Sequence, residues 1–203
     1  MTDNQKKQAD KFWEWFSKNN EKFINLTDND EETIDTLLDE ILANLAPFSE
    51  ELFVYVGNPT EELNDIIISA DGEKDNFAMV KQMVSRAKPV DGWQFTALIP
   101  PKEINGIRFD DLIIPIGDLA FSPLINSENV SLVNIVIYIK DYNNRKSHPE
   151  FDNAIERILD LILGEECYEY ITLTAQKEWK DDTVNTNILE LRDYILTKVE
   201  AYS

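Results

Sequence analysis

The chain has 203 residues, with 39 Asp and Glu against 19 Lys and Arg, and so carries a formal net charge of −20 at pH 7. No Lys or Arg lies between Lys22 and Lys74, although 14 acidic residues do. This concentration of negative charge repels polyanions and attracts basic proteins or cations. It therefore disfavours nucleic acid and anionic membranes as partners, and the single cysteine, Cys167, excludes an intramolecular disulfide framework.

The length and the 43% content of hydrophobic residues predict one α+β domain over residues 1–203, with 1–47 as a two-helix N-terminal segment packed on it. The N-terminal residues contain no apolar signal-peptide core, and no stretch approaches 18 apolar residues. We therefore expect a cytoplasmic protein.

Two amphipathic helices are predicted first. One runs from Gln5 to Asn20 and carries apolar side chains at helical spacing: Ala9, Phe12, Trp13, Phe16 and, beyond its end, Phe23. The other begins near Asp28, which forms a D-x-x-E start signal with Glu31, and it ends before Pro47. Its apolar stripe comprises Ile34, Leu37, Leu38, Ile41, Leu42 and Leu45.

After Pro47, the spacing of the hydrophobic residues changes to the pattern that is typical of strands. Strands are predicted at Leu52–Val56, Asp65–Ala70, Trp93–Ile99 and Leu132–Ile139, with shorter β segments between Ile104 and Ile125. Gly57-Asn58-Pro59 and Asp71-Gly72 are predicted turns, and Asn76–Arg86 is a predicted helix. The apolar, β-branched run ending at Ile139 indicates a central strand.

In the last third of the chain, predicted helices and strands alternate. A buried helix is predicted from Pro149 to Leu163, started by a capping box of Ser147 and Glu150 and stopped by Gly164. A strand at Tyr168–Thr174 and a helix at Ile188–Tyr202 follow, the latter with Ile188, Leu191, Ile195 and Val199 facing inward. The order of elements predicts one mixed, mostly antiparallel sheet with helices packed mainly on one face.

Residues suited to catalysis are few. His148 is the only histidine and lies at a predicted helix start, whereas Cys167 is expected to be a buried thiol that opens a strand. The segments beginning at Asp28 and Asp71 lack the glycine and the bidentate glutamate of a calcium loop. We predict neither a catalytic residue, a cofactor nor a metal site.

An acidic row and an aromatic cluster are the unusual features. Glu31, Asp35 and Asp39 follow i, i+4, i+8 spacing without an intervening Lys or Arg, an arrangement that costs about 0.2–0.5 kcal/mol per pair in isolated helices. Trp13 and Trp15 flank the apolar face of the first helix, a pattern typical of a helix packed between a sheet and a neighbouring helix. Alternatively, one tryptophan is exposed and anchors an interface. These five residues are the predicted partner-binding site.

The segment Phe12-Trp13-Glu14-Trp15-Phe16, the acidic helix to Leu45 and the following strand resemble a small bacterial family of uncharacterised single-domain proteins. The resemblance extends through Trp93 to the helix ending Leu161-Ile162-Leu163-Gly164. It implies a compact bacterial α+β domain and assigns no activity.

Three hypotheses follow. The first is a non-catalytic module that docks a basic protein, with an immunity-type protein that covers the basic substrate site of a toxin as its specific version. The second is a carboxylate-based or divalent-metal-assisted hydrolase, which would need a cleft lined by acids such as Asp110, Asp111 and Asp118. The third is a structural or regulatory protein that self-associates through exposed edge strands around Ile113 to Ile125.

Overall fold

A computed structural model of the chain describes residues 1–60, 63–124, 133–180 and 186–200. They form an α+β structure, as predicted, that divides into two compact units, Met1–Pro100 and Pro101–Ser203. Each unit contains its own hydrophobic core. The expected single sheet is wrong, because the described strands form three sheets.

The first unit begins with two helices, α1 (Asp3–Asn19) and α2 (Glu31–Leu45). Thr2 caps α1 in a reciprocal capping box with Gln5. The predicted start of α2 at Asp28 is wrong. Leu26–Asp28 form a separate 3-10 turn, and Asp30 is the N-cap, whose side chain accepts a hydrogen bond from Thr33 N at 3.0 Å.

The sheet of the first unit has the order β1-β2-β3, with β1 at Phe53–Thr60, β2 at Leu63–Ser69 and β3 at Trp93–Ala97. The predicted turn at residues 57–59 is wrong, because they continue β1 past a register shift between Gly57 and Thr60. Helix α3 (Lys74–Val84) connects β2 to its parallel neighbour β3. The core combines helical and strand side chains: Phe12, Phe16, Phe23, Ile41, Leu45, Ile66, Ile68, Val80 and Met83.

The second unit begins with a hairpin of β4 (Gly106–Phe109) and β5 (Leu112–Pro115). Its four-stranded sheet has the order β8-β7-β6-β9, and the strands are β6 (Leu119–Leu124), β7 (Val133–Ile139), β8 (Ile171–Glu178) and β9 (Thr186–Asn187). The helices are α4 (Tyr142–Arg145), α5 (Phe151–Tyr168) and α6 (Leu191–Glu200). Strand β7 lies between two neighbours, as its apolar sequence predicts.

Helix α5 follows the prediction up to the glycine and then departs from it. Gly164 has φ 70° and ψ 168°, so the regular helix breaks there before one more turn reaches Tyr168. Cys167 is therefore buried in this last turn, and the expectation that it opens a strand is wrong. Glu150 is the N-cap, but its side chain accepts no hydrogen bond from a backbone N–H of the first helical turn, so the predicted capping box with Ser147 is also wrong.

The C-terminal helix buries three of the four residues predicted to face inward, Ile188, Leu191 and Ile195, the first in a 3-10 turn before α6. The side chain of Val199 and all of Tyr202 lie outside the described residues, as do Ile125 and Leu132 of the predicted β segments.

Both units contain the same β-β-α-β order. In the first, β1 pairs antiparallel with β2, and β3 then pairs parallel with β2 after α3. In the second, β6 pairs antiparallel with β7, and β8 pairs parallel with β7 after α4 and α5. The correspondence lies in the order and pairing of the strands.

Gly106 provides a test of the hairpin in the second unit. Its φ is 148°, and a Cβ atom there would lie 2.5 Å from Ile114 O and 2.8 Å from Pro115 Cα. Because both atoms belong to backbone, we expect Gly106→Ala to lower the free energy of unfolding by about 2 kcal/mol in urea titrations. Gly117→Ala is the control, since a Cβ there has no described atom within 4 Å, and an equal loss from both substitutions would contradict this account.

Candidate functional site

The acidic row predicted on the second helix lies on the exposed side of α2. The helix buries Ile41 and Leu45 against the core of the first unit, so the row at Glu31, Asp35 and Asp39 points to solvent. Asp30 caps the helix beside the row, and hydrogen bonds from Thr33 backbone and hydroxyl groups hold the pKa of its carboxyl below the ordinary value.

Several acids of the first unit are paired with a base, whereas among the described residues the acids of the row are not. On α1, Asp3 pairs with Lys6 at 3.0 Å and Glu14 with Lys18 at 2.8 Å. On α2, Glu40 pairs with Lys22 at 2.7 Å. The three carboxylates of the row form no ion pair with any residue that the structure describes.

Trp13 belongs to the core. Its side chain is 5% exposed, and its indole Nε1 donates a hydrogen bond to Met83 O at 2.8 Å. Its ring packs edge-on against Phe12, with 4.9 Å between the ring centroids. A partner could reach little of this side chain, so Trp13 is not part of the partner-binding surface that we propose.

Trp15 is half-buried and lies against the same core. Its ring contacts Phe12 and Phe23, with 5.9 Å between the ring centroids in each pair. An exposed apolar side chain of the connection between α1 and α2 is Ile24, which is 46% exposed and lies two positions after Lys22, the residue that forms an ion pair with Glu40 of α2. The sequence analysis missed Ile24, because a single isoleucine in a short connection follows no periodic pattern.

The only histidine has a structural explanation. His148 Nδ1 accepts a hydrogen bond from Glu150 N at 3.1 Å at the start of α5, as expected for a helix-start residue. Its Nε2 lies 3.1 Å from Oδ1 of Asp111, a carboxylate whose side chain is 92% exposed. The hydrogen bond to His148 lowers the pKa of Asp111.

The acids named for a hydrolase have separate local roles. Asp110 and Asp111 form the two-residue connection between β4 and β5, with Asp110 at φ 49°. Asp118 accepts a hydrogen bond from Arg145 at 2.8 Å and lies 3.9 Å from Lys140. Among the described residues, no group of three or more His, Cys, Asp and Glu side chains is placed to hold a metal ion.

The strands proposed for self-association are only partly at a sheet edge. Ile113 and Leu124 are exposed, but β6 pairs with β7 on one side and β9 on the other. The expectation of exposed edge strands around Ile113 to Ile125 is therefore wrong at Ala120 and Phe121, which pair with β9. Within the described parts of the chain, no helix is both long and apolar enough to cross a membrane.

Asp65 is an unusual titratable group that the sequence analysis missed. It lies in the central strand β2, is 6% exposed, and accepts hydrogen bonds from Thr96 Oγ1 at 2.9 Å and Gln94 Nε2 at 3.4 Å. Burial raises the pKa of its carboxyl, and the hydrogen bonds oppose part of that rise. The sequence around Asp65, a single acid before three isoleucines, does not indicate a buried carboxyl, because the burial of Asp65 depends on the pairing of β2 with its neighbouring strands.

Comparison with protein-family models, with curated proteins and with solved structures finds no match to this chain. The resemblance to a bacterial family with an N-terminal aromatic helix stays a prediction.

Asp65 predicts an unusual pH dependence. Because its pKa is higher in the folded chain than in the unfolded chain, the unfolded chain loses the proton first as pH rises. Its contribution to the free energy of unfolding therefore falls as pH rises above about 4. We expect Asp65→Asn to be more stable than the wild type at pH 7, with the advantage shrinking towards pH 4 in urea titrations.

The control for this experiment is Asp30→Asn at the cap of α2. The pKa of Asp30 is lowered on folding, so its charge contributes stability above the unfolded pKa that is lost as pH falls. The two substitutions should therefore show opposite pH trends. A pH-independent difference between Asp65→Asn and the wild type would contradict the assignment of a raised pKa.

Proposed function

We propose that the chain is a non-catalytic protein-binding module that docks a basic partner on the acidic row of α2. The observation that carries the proposal is the exposure of Glu31, Asp35 and Asp39 without an ion-pair partner among the described residues. A partner surface rich in Lys and Arg would supply the missing counter-charges. Such complementarity accelerates association and discriminates against acidic competitors.

The electrostatics of the free protein support the proposal. Like charges at i, i+4 spacing destabilise a helix by about 0.2–0.5 kcal/mol per pair, and the row contains two such pairs. The neighbouring helix α1 balances Asp3 and Glu14 with lysines, so a mixed surface is achievable in this unit. A function that uses the unbalanced charge accounts for its presence on α2.

Ile24 gives the proposed surface an apolar contact. The segment that carries it is tied to α2 through the 2.7 Å ion pair between Lys22 and Glu40. Protein interfaces combine a few apolar anchors with a polar rim, and we include the exposed Ile24 in the proposed surface as such an anchor. It replaces the buried Trp13 as the apolar residue of the proposed site.

The narrower form of the proposal is an immunity-type protein. Enzymes that act on nucleic acid present basic substrate-binding sites, and an acidic helix face is complementary to such a site. The compartment we propose is the bacterial cytoplasm, in agreement with the composition and the family resemblance. Under this form, the captured partner would be a toxin whose activity falls when this chain binds.

The free protein should become more stable when the row is interrupted. Asp35→Lys replaces two repulsive pairs, with Glu31 and Asp39, by two attractive ones, and should raise the free energy of unfolding by about 1 kcal/mol at low salt. Asp35→Glu keeps the charge and is the matched control. The gain should shrink when salt rises to about 1 M, because exposed pairs are screened, and a gain that persists in high salt would contradict this reading.

The same change should impair binding. We expect a basic protein from the native host lysate to be retained by the wild type at about 0.05 M salt and released at about 0.5 M, as read by mass spectrometry. Asp35→Lys with Asp39→Lys should slow its association about tenfold or more in stopped-flow measurements.

The matched control shifts the net charge equally at another place. Glu156→Lys with Glu190→Lys alters two exposed acids of the second unit and should leave capture intact. An equal loss of capture in both double variants would indicate that the basic protein is attracted only by the net charge of the chain. Capture that is unchanged in the α2 double variant would remove the acidic row from the binding site.

A further inference from the structure

Strand β1 is an outer strand of the sheet in the first unit, because β2 is its only neighbour among the described strands. Natural sheets protect such edges from pairing with other molecules by means of Pro, charged residues and bulges. In β1, Pro59 and a register shift lie between Gly57 and Thr60. The segment Phe53–Val56 contains neither Pro nor a charged residue, so it is the unprotected part of this edge.

The central strand β2 shows in which direction the backbone groups of this sheet point. Asn64 N donates a hydrogen bond to Gly92 O at 2.9 Å, just before β3 begins. Leu98 N, just after the end of β3, donates to Ile68 O at 2.8 Å. The even-numbered residues of β2 therefore direct their N–H and C=O groups towards β3, and the odd-numbered residues direct theirs towards β1.

Val54 and Val56 carry the backbone groups that point outward from β1. The odd-numbered residues of β2 pair with Phe53, Tyr55 and Gly57, so those three direct their backbone groups inward and the two valines direct theirs outward. Neither valine forms a backbone hydrogen bond outside the sheet with any residue that the structure describes. Since a buried backbone group without a partner is costly, these groups are open to solvent and can pair with an added strand.

The two faces of this edge differ in chemistry. On one face, Phe53 and Tyr55 are 45% and 46% exposed and lie two positions apart along the strand. On the other face, Val54 is buried in the core of the first unit. An added strand would continue both faces, so its alternate side chains would lie beside the two aromatic rings and on the helix side of the sheet.

Helix α2 lies over the β1 side of the sheet, whereas α1 lies over the β3 side. Helix α2 contacts β1. On α1, the ring of Trp13 packs against Phe95 of β3, with 4.8 Å between the centroids, and the ring of Phe16 packs against Trp93 at 4.9 Å. The flank of α2 that faces away from α1 is therefore next to the outer edge of β1.

The acidic row lies on that flank of α2. Glu40 forms an ion pair with Lys22, which follows the end of α1, so Glu40 marks the flank on the α1 side. Asp35 and Glu31 precede Glu40 by five and nine residues, and at about 100° per residue they project about 140° and 180° away from it. Long basic side chains on the helix side of an added strand would therefore point towards the row.

We infer that a segment of the basic partner adds to β1 as a fourth strand, with Lys or Arg at every second position facing the acidic row and apolar residues between them facing Phe53 and Tyr55. The inference rests on the proposed function, because it specifies how the basic partner binds. Backbone hydrogen bonds to Val54 and Val56 supply affinity, and the alternation of basic and apolar side chains supplies selectivity.

A second copy of this chain fits the edge less well than a basic segment. An antiparallel pair of β1 strands that matched Val54 with Val56 would bring the register shift beyond Gly57 of each strand into the pairing. Each copy carries a net charge of −20, and Glu50 and Glu51 immediately precede the edge. The same charges that repel a second copy attract a segment with Lys or Arg.

The test is a titration of the ¹⁵N-labelled full chain with the capped heptapeptide Lys-Val-Lys-Tyr-Lys-Val-Lys at about 0.05 M salt. We expect saturable amide shifts at Phe53–Val56 and on α2, and slower exchange of the Val54 and Val56 amide hydrogens. The peptide Lys-Lys-Lys-Lys-Val-Val-Tyr has the same composition without the alternation and should bind about tenfold more weakly. Equal binding of the two peptides, or no saturable shifts in β1, would overturn the inference.

N-methylation of the alternating peptide tests the backbone pairing while the side chains and the charge stay the same. Successive N–H groups of a strand point in opposite directions. Methylation of one alternate set of peptide residues should therefore weaken binding about tenfold or more, whereas methylation of the other set should leave it unchanged. Equal effects of the two sets would refute strand addition.

Substitutions in the chain test the same edge. Val56→Pro removes an outward N–H that the pairing with β2 does not use, and should weaken peptide binding about tenfold or more. Tyr55→Ala removes an exposed ring without changing the edge backbone and should also weaken binding, whereas Leu189→Ala, at an exposed side chain of the second unit, is the control and should not. Full peptide affinity in Tyr55→Ala, or in a folded Val56→Pro, would contradict the inference.

Capture of the basic host protein separates this inference from the function on which it rests. If Asp35→Lys with Asp39→Lys abolishes capture while a folded Val56→Pro retains it in full, the proposed function stands and strand addition is refuted. If the wild type captures no basic protein but binds the alternating peptide with the expected dependence on N-methylation, the proposed function fails and strand addition is supported. A wild-type dimer in sedimentation equilibrium that Val56→Pro dissociates would identify a second copy as the occupant and overturn the inference.

Discussion

The parallel pairing of β3 with β2, and of β8 with β7, is the constraint on which the rest of the structure depends. Parallel neighbours cannot be joined by a tight turn, so the chain must cross over, and it does so with α3 in the first unit and with α4 and α5 in the second. These crossovers bring Val80 and Met83 into one core and Ile155 and Ile158 into the other. Each half thereby buries its own apolar surface, which explains the two cores.

Because the helices of each unit bury their apolar side chains in its core, mainly polar and charged side chains stay exposed to a binding partner. Helix α1 packs its aromatic side chains into the first core, and its exposed acids Asp3, Asp10 and Glu14 are each paired with a lysine or with Arg86. Helix α2 buries Ile41 and Leu45 but leaves an acidic outer face without that balance. Part of the acidic excess between Lys22 and Lys74 thus lies on one helix face, where like-charge repulsion reduces the stability of the free protein and the basic partner that we propose would relieve it.

The acidic row of α2 could be foreseen from the order of residues. Its three carboxylates, Glu31, Asp35 and Asp39, form no ion pair with any residue that the structure describes. Sequence composition could indicate this feature, because an acidic run without an intervening Lys or Arg is visible in the chain itself.

The sequence by itself determined the features that depend on neighbouring residues. The apolar stripes of α1, α2 and α5, the break at Gly164 and the central position of β7 all follow from local periodicity and backbone preference. Tertiary structure alone decided the pairing of Ile66 with Phe95, the burial of Trp13 against Met83, the raised pKa of Asp65 and the separation into three sheets. These features join residues that are tens of positions apart, and local patterns along the chain do not specify which distant surfaces will meet.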